Sequence, residues 1–261
     1  MESTGASIEF RHVSVAFADG AQHVTACHDV SFSVEPGESV ALIGPSGCGK
    51  STTLRMAAGL LAPSEGEVLV NGSAILQPRQ TTALIPQDLG LFPWKNVLQN
   101  AALGLAIRRV PKAEALERTR AALAQVELAG FERSYPKELS GGMRQRLALA
   151  RALAMDADLL LMDEPLSAID ALLRESLQDT LLNLWQRRGH TQMLVTHSIE
   201  EAVFLGQRIF VFSARPGTVV ACVENPDAGT IGWREAAAFS QRCHEVREAL
   251  SYTAPDKEVA Q

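Results

Sequence analysis

Short apolar runs alternate with helix-forming segments along most of this chain. That alternation predicts an α/β fold: a mostly parallel sheet with helices on both faces. Three runs carry the prediction. Ser39 to Ile43, Asp158 to Met162 and Met193 to Thr196 are short and nearly continuously apolar, the pattern of strands covered on both faces. A Gly-rich loop follows the first run, and a segment of good helix formers, Ser51 to Leu60, follows the loop and is closed by Pro63.

The remaining elements are read in order. Ile8, Phe10, Val13 and Val15 form a broken period-two run, and Val30, Phe32 and Val34 alternate cleanly up to the Pro36-Gly37 turn. The first 70 residues are therefore expected to be short strands separated by turns. Glu67 to Val70 is a further strand ended by Asn71-Gly72, a strong turn dipeptide. From about Leu89 to Leu153 the character becomes helical. Pro111 and Lys112 open a stretch with Ala115, Ala122 and Val126 at helical spacing, broken at Tyr135-Pro136. Arg208 to Phe212 is a strand stopped by Arg215-Pro216-Gly217. Ala236, Phe239, Cys243, Val246 and Leu250 give a terminal helix one apolar face, read as packing on its own domain, with partner binding the sharper alternative. Thr253 to Gln261 is expected to fray.

Composition bounds the function. The chain has 261 residues, 24 basic and 30 acidic, for a net charge of −6, with 46% hydrophobic and 21% charged residues. This excludes a disordered chain and disfavours nucleic-acid binding by bulk charge. Only 5% of residues are aromatic, so the core must be mostly aliphatic. The chain has no long uncharged apolar stretch and no basic-then-apolar start, so neither a spanning helix nor a signal peptide is expected. Cys27, Cys48, Cys222 and Cys243 are scattered without a CxxC pair. The two Cys-His pairs, at Cys27 and Cys243, are too far apart in sequence to suggest a metal, and a reducing cytosol is expected.

Gly44-Pro45-Ser46-Gly47-Cys48-Gly49-Lys50-Ser51 fits G-x-x-x-x-G-K-[ST] between a buried strand and a helix. Glycines let successive N–H groups curl towards phosphate oxygens, and the helix N-terminus adds its positive end. Lys50 is expected on the β- and γ-phosphates, the Ser51 hydroxyl on Mg²⁺, and Thr52 beside them. Leu159 to Glu164 then delivers two carboxylates at a strand's C-terminal end, where open α/β sheets bind ligands. Asp163 is assigned to Mg²⁺ and Glu164 to the attacking water.

Leu139-Ser140-Gly141-Gly142-Met143-Arg144-Gln145-Arg146 sets the class. It resembles the signature motif of ATP-binding-cassette (ABC) ATPases, just ahead of the second carboxylate strand as in that family. The resemblance extends from Ile8 to about Val220. It implies a P-loop ABC cassette: a RecA-like parallel core, an antiparallel β subdomain and a helical insert. Residues 1–88 and 154–223 would form the β subdomain and core, 89–153 the helical signature subdomain and 224–261 a tail, all in one ATPase domain. Gln87 resembles the Q-loop glutamine that contacts the metal or water. Ser167-Ala168-Ile169-Asp170 resembles the D-loop, with Ile where Leu is usual, and His197 resembles the switch histidine of the γ-phosphate. Phe17 stands where an aromatic commonly stacks on adenine. Met143 replaces the usual Gln and Ser198 a common Asp, and neither change removes a catalytic group. Cys48, in an electropositive loop at a helix start, is expected to be a reactive thiol that ATP shields.

The same resemblance implies a head-to-tail dimer. Each ATP would meet Lys50, Ser51, Gln87, Asp163, Glu164 and His197 of one chain and Ser140 to Gly142 of the other. Pro93 to Gly104, the signature variant and Ser213 to Gly217 resemble importer subunits of the nitrate/sulfonate/taurine group, which includes proteins for thiamine-precursor pyrimidines. Permease subunits, and indirectly a secreted solute-binding protein, are the implied partners, with a peripheral place on the cytoplasmic membrane face. Leu91-Phe92-Pro93-Trp94, soon after Gln87, is expected to line the groove for a permease helix, with internal packing the alternative. The rivals are a soluble ABC ATPase and an exporter subunit.

Overall fold

The computed structural model describes residues 5–19, 22–167 and 169–251. In chain order these form β1 (Ile8–Asp19), β2 (Gln22–Val34), β3 (Ser39–Ile43), α1 (Lys50–Ala57), β4 (Glu65–Val70), β5 (Ser73–Ala74) and β6 (Thr82–Ile85). Four helices follow: α2 (Val97–Ala101), α3 (Leu103–Ile107), α4 (Lys112–Gln125) and α5 (Gly141–Leu153). The chain then alternates through β7 (Leu159–Asp163), α6 (Ala171–Arg188), β8 (Thr191–Val195), α7 (Ile199–Leu205), β9 (Arg208–Phe212) and β10 (Val219–Glu224), ending in α8 (Ala237–Ser251).

The central sheet has six strands in the order β10-β9-β3-β8-β7-β6. Every pairing from β9 to β6 is parallel, and β10 alone is antiparallel, on β9. The three strands in the middle of this order, β3, β8 and β7, are buried at every position. Their hidden alternation shows in the core each residue joins. Val40, Leu42, Leu159, Leu161, Met193 and Val195 face a core shared with Leu54 and Met56 of α1 and Ile8 and Phe10 of β1. Ala41, Ile43, Leu160, Met162 and Leu194 face the other, with Leu147 and Leu149 of α5 and Leu177 and Leu181 of α6. Removing one such leucine side chain costs about 2–5 kcal/mol, so both layers hold the sheet firmly.

A second sheet, in the order β2-β1-β4-β5, is antiparallel throughout. Here the expectation of short strands holds for β4 and β5, with 6 and 2 residues, and fails for β1 and β2, with 12 and 13. The broken spacing of Phe10 and Val13 is absorbed by a register shift between those residues, and both side chains are buried. A bulge turns the skipped residue outward without ending the strand.

Helix α1 is shorter than its composition suggests. It ends at Ala57 because Gly59 turns left-handed (φ 70°) and the Leu60 N–H donates to the Arg55 carbonyl at 2.9 Å. Helix α8 buries Phe239, Cys243 and Val246 against α7 and β9, and Trp233 meets Phe239 edge-on at 5.7 Å. The apolar face of the terminal helix therefore packs on its own domain. Thr253 to Gln261 lies outside the described residues. Among the described residues, no helix is long and apolar enough to cross a membrane.

His190, at the start of β8, is buried beside Leu160, Leu184 and Arg188. Burial first, then the Arg188 charge, lowers its pKa to about 4. The unfolded chain thus binds a proton that the native chain refuses between pH about 6.5 and about 4. Stability from this residue is present above that window and is lost as pH falls through it, at up to ~1.4 kcal/mol per pH unit. His190→Leu should flatten the slope of urea-unfolding free energy over this range; an unchanged slope would assign the acid sensitivity elsewhere.

Candidate active site

Because β9, β3, β8, β7 and β6 run parallel, their C-terminal ends share one edge of the sheet. The glycine loop leaves β3, Asp163 ends β7, Thr196 and His197 follow β8, Gln87 follows β6, and Arg215 lies in the loop after β9. A cleft of about 220 Å³ at this edge is lined by Phe17, Ala26, Gln87, Glu164, His197, Arg215 and loop residues Gly44, Ser46, Gly47, Cys48, Gly49, Lys50, Ser51 and Thr52.

The loop's shape follows from Gly49. Its φ is 96°, and a Cβ there would sit 2.9 Å from the Ala26 carbonyl oxygen. No side chain caps α1, and its first turn holds no acid, so the helix start presents backbone N–H groups and the positive end of its dipole. The Lys50 ammonium lies inside the curl and donates to the Gly44 and Pro45 carbonyls, both at 2.8 Å. Pro45 contributes through that carbonyl rather than by lining the cleft.

The Ser51 hydroxyl donates to Asp163 Oδ1 at 2.9 Å, joining the loop to the end of β7. Asp163 is buried; desolvation pushes its carboxyl pKa up, and the Ser51 hydrogen bond opposes that. Glu164 turns left-handed (φ 51°), with its N–H donating to the Val195 carbonyl at 2.9 Å. That turn takes its side chain out of the sheet into the cleft. His197 Nδ1 is 3.6 Å from Glu164 Oε2, with the imidazole 66% and the carboxylate 26% exposed. A hydroxyl and a buried carboxylate in contact, with Gln87 on the same cleft, form a hard-oxygen donor set that suits Mg²⁺. A solvent-facing Glu164 could orient a water.

Other expected residues fall elsewhere. Ser140 caps α5, its Oγ accepting the Met143 N–H at 3.2 Å, and Gly141 and Gly142 begin that helix. None of the three lines the cleft. Asp170 caps α6 by accepting the Leu173 N–H at 3.1 Å and is likewise outside the cleft. Ala168 lies outside the described residues. Phe17, near the end of β1, is 42% exposed and lines the cleft, so it is no core aromatic.

One expectation is corrected. Cys48 is fully buried, with its sulfur 3.5 Å from Lys50 Nζ, so the position that looked reactive is closed to reagents. Its side chain joins the core that holds Val40, Leu42 and Leu54. A groove of about 490 Å³, which Gly90 helps to line, has an apolar wall of Leu84, Pro86, Leu103, Ile107 and Met155. In the segment that follows Gly90, Phe92 and Trp94 pack edge-on at 5.3 Å, with Trp94 69% exposed.

Ala26 and Arg215 were missed as site residues. Their cause is tertiary: the Gly217 N–H donates to the Ala26 carbonyl at 3.1 Å, and a Cβ at Gly217 would lie 1.7 Å from the Cys48 carbonyl oxygen. The loop after β9 therefore presses directly on the glycine loop, and Arg215-Pro216-Gly217 alone signals only a turn.

This fold and site define an ATP-binding cassette. The ABC transporter family profile matches residues 27–167. The taurine import ATP-binding protein TauB of Burkholderia pseudomallei is 47% identical over 211 residues, covering 81% of each chain. The aliphatic sulfonates import ATP-binding protein SsuB of Bacillus cereus is 43% identical over 213 residues, covering 82% of this chain and 84% of the relative. The solved cassette MJ0796, a post-hydrolysis dimer bound to ADP and Pi, superposes with a TM-score of 0.78 at 30% identity, over 83% of this chain and 98% of that one. The chain belongs to the ABC transporter family.

Burial of the cysteines predicts the labelling pattern. Cys27, Cys48 and Cys243 are buried and Cys222 is exposed, so brief maleimide treatment of the native protein should modify Cys222 first, read by peptide mass spectrometry. Early labelling of Cys48 would show the loop to be open in solution.

Proposed function

We propose that this chain is the ATP-hydrolysing subunit of a membrane importer for a small sulfonate such as taurine. The observation that carries hydrolysis is the Ser51–Asp163 hydrogen bond at 2.9 Å beside Glu164 and His197 on one edge. The names of the TauB and SsuB relatives support the import role and the solute class.

In this reading the N–H groups of Gly44 to Ser51 cradle the phosphates, Thr52 adds the next position of the helix start, and Lys50 reaches the β- and γ-oxygens. Ser51, Asp163 and Gln87 would hold Mg²⁺, which when bound neutralises charge on the β- and γ-phosphates. Phe17 offers a half-exposed ring for adenine. Glu164 polarises the attacking water, and His197 contacts the γ-phosphate.

The cleft volume, about 220 Å³, is below the ~300–1,000 Å³ of common ligand pockets. A second copy facing it head to tail would supply the missing wall through its Ser140, Gly141, Gly142 and Asp170. ATP between the two copies then favours the closed dimer, and loss of the γ-phosphate reopens it. The dimeric state of the solved cassette supports this arrangement. The apolar groove beside β6, edged by Arg79, Arg108 and Arg151, is the place for a permease helix. The subunit would sit peripherally on the cytoplasmic membrane face and meet the solute-binding protein only through the permease. In the same reading residues 1–88 and 154–223 are the core with its β subdomain, 89–153 the helical signature part and 224–261 the tail.

Glu164→Gln should keep ATP binding and lower turnover by about 10²–10⁴-fold, measured by phosphate release; unchanged turnover would remove Glu164 from that role. Lys50→Ala should abolish nucleotide affinity in a fluorescence titration, and retained affinity would count against the loop as the phosphate site. Co-purification with the permease from membranes, followed by ATPase assays with sulfonate-loaded binding protein, tests the importer reading. A chain that never co-purifies but hydrolyses ATP alone would favour a soluble ATPase.

A further inference from the structure

Glu201 lies in the first turn of α7, four residues after His197, yet it is only 4% exposed. Its carboxylate faces inward while the neighbouring Glu200 stays exposed. Its chemistry is unusual for a helix start. Ser198 caps the helix, its Oγ accepting the Glu201 N–H at 3.2 Å. In an ordinary Ser-x-x-Glu capping box the glutamate would reach back to the Ser198 N–H. Here that N–H instead donates to Thr196 Oγ1 at 3.0 Å, and the Thr196 hydroxyl donates to Glu201 Oε2. The threonine hydroxyl is thus inserted into the box as a relay.

The relay brackets His197. The residues on either side of it, Thr196 and Ser198, are both tied to Glu201, and the Thr196 N–H donates to the Leu42 carbonyl of β3 at 3.2 Å. His197 itself makes only the 3.6 Å approach to Glu164 among the ion pairs of the described residues. Its own contacts therefore do little to fix its direction, which must come from the backbone on which it rides. The other carboxylate oxygen, Glu201 Oε1, is buried without a hydrogen-bond partner. An unpaired buried carboxylate oxygen is unfavourable, and a helix cap alone would be served as well by an exposed glutamate.

We propose that Glu201 is the positioning residue of the switch: through Thr196 Oγ1 it fixes the peptide carrying His197 and so sets the imidazole against Glu164 and the γ-phosphate. This rests on the reading of His197 given above. The direction of the Glu201 carboxyl's shift agrees with its placement: burial raises its pKa, the Thr196 hydrogen bond lowers it, and Arg174, His197 and Glu164 are the charges that act on it.

The test is steady-state ATP hydrolysis by the full-length protein with Mg²⁺. Glu201→Ala and Thr196→Val should each lower kcat by about 10–100-fold, the scale of a misplaced catalytic group. KM for ATP should stay within about twofold, because the nucleotide contacts of the loop are untouched. Glu201→Gln keeps an acceptor for the Thr196 hydroxyl and should recover most of the loss, as should Thr196→Ser. The double variant Thr196→Val/Glu201→Ala should be no slower than either single one, since both break one relay. Should Glu201→Ala fail to fold, the Gln and Thr196 variants decide alone. Full activity in Thr196→Val, multiplicative losses in the double variant, or a loss in KM rather than kcat would overturn the proposal. His197→Ala separates the two levels: if it leaves kcat intact, the switch reading fails, whereas a large loss there beside a normal Thr196→Val overturns only the role of Glu201.

Discussion

The glycine loop, acid pair, histidine and glutamine of this site depend on the parallel pairing of β3 with β8 and β9, of β8 with β7, and of β7 with β6. Parallel strands end together, so five chain segments far apart in sequence leave the sheet at one edge and bring the glycine loop, two carboxylates, a histidine and a glutamine side by side. The register is set by burial on both faces. A shift by one residue would send Val40 and Leu42 into the core under α5 and α6, and Ala41 and Ile43 into the core shared with α1 and β1, breaking the fit on both faces. Hydrophobic packing therefore fixes the distance between Ser51 and Asp163, although neither residue is apolar.

The site itself runs against that packing. Asp163 is buried with its pKa raised, Glu164 holds a left-handed backbone, and Glu201 has a buried oxygen without a partner. Each is locally unfavourable, and each is retained where the surrounding sheet over-determines it. Asp163 and Glu164 close β7, and Glu201, in the first turn of α7, is tied to Thr196 just after β8, so the strain is concentrated at one edge. Ion pairs such as Arg79–Asp158 at 2.7 Å and Arg208–Glu38 lie elsewhere and help to tie loops to strands.

The proposed dimer and its permease contact agree with two features of the single chain. The cleft is small, while Ser140 and Asp170 spend their local hydrogen bonds on capping helices and do not line it. The groove beside β6 is apolar with an arginine rim, a surface that a soluble monomer has little reason to keep. Both features suit a subunit whose activity is completed by neighbours.

The sequence by itself determined the class of fold, the loop and the acid pair. Short continuous apolar runs bounded by turns fit doubly buried strands, and G-x-x-x-x-G-K-S between a strand and a helix has one common use. Period-two spacing was equally legible in β1, although the skip between Phe10 and Val13 broke the run without showing that a bulge carries one long strand through it. Only the tertiary structure decided which side of each residue faces the cleft. Cys48 turned inward, Phe17 outward, and Ala26 and Arg215 joined the site because the loop after β9 folds over the glycine loop. The Thr196–Glu201 relay was equally invisible, since Ser198 and Glu201 have ordinary capping-box spacing and only burial shows that the hydroxyl stands between them. Periodicity reports local chain geometry, whereas orientation and burial are set by long-range packing.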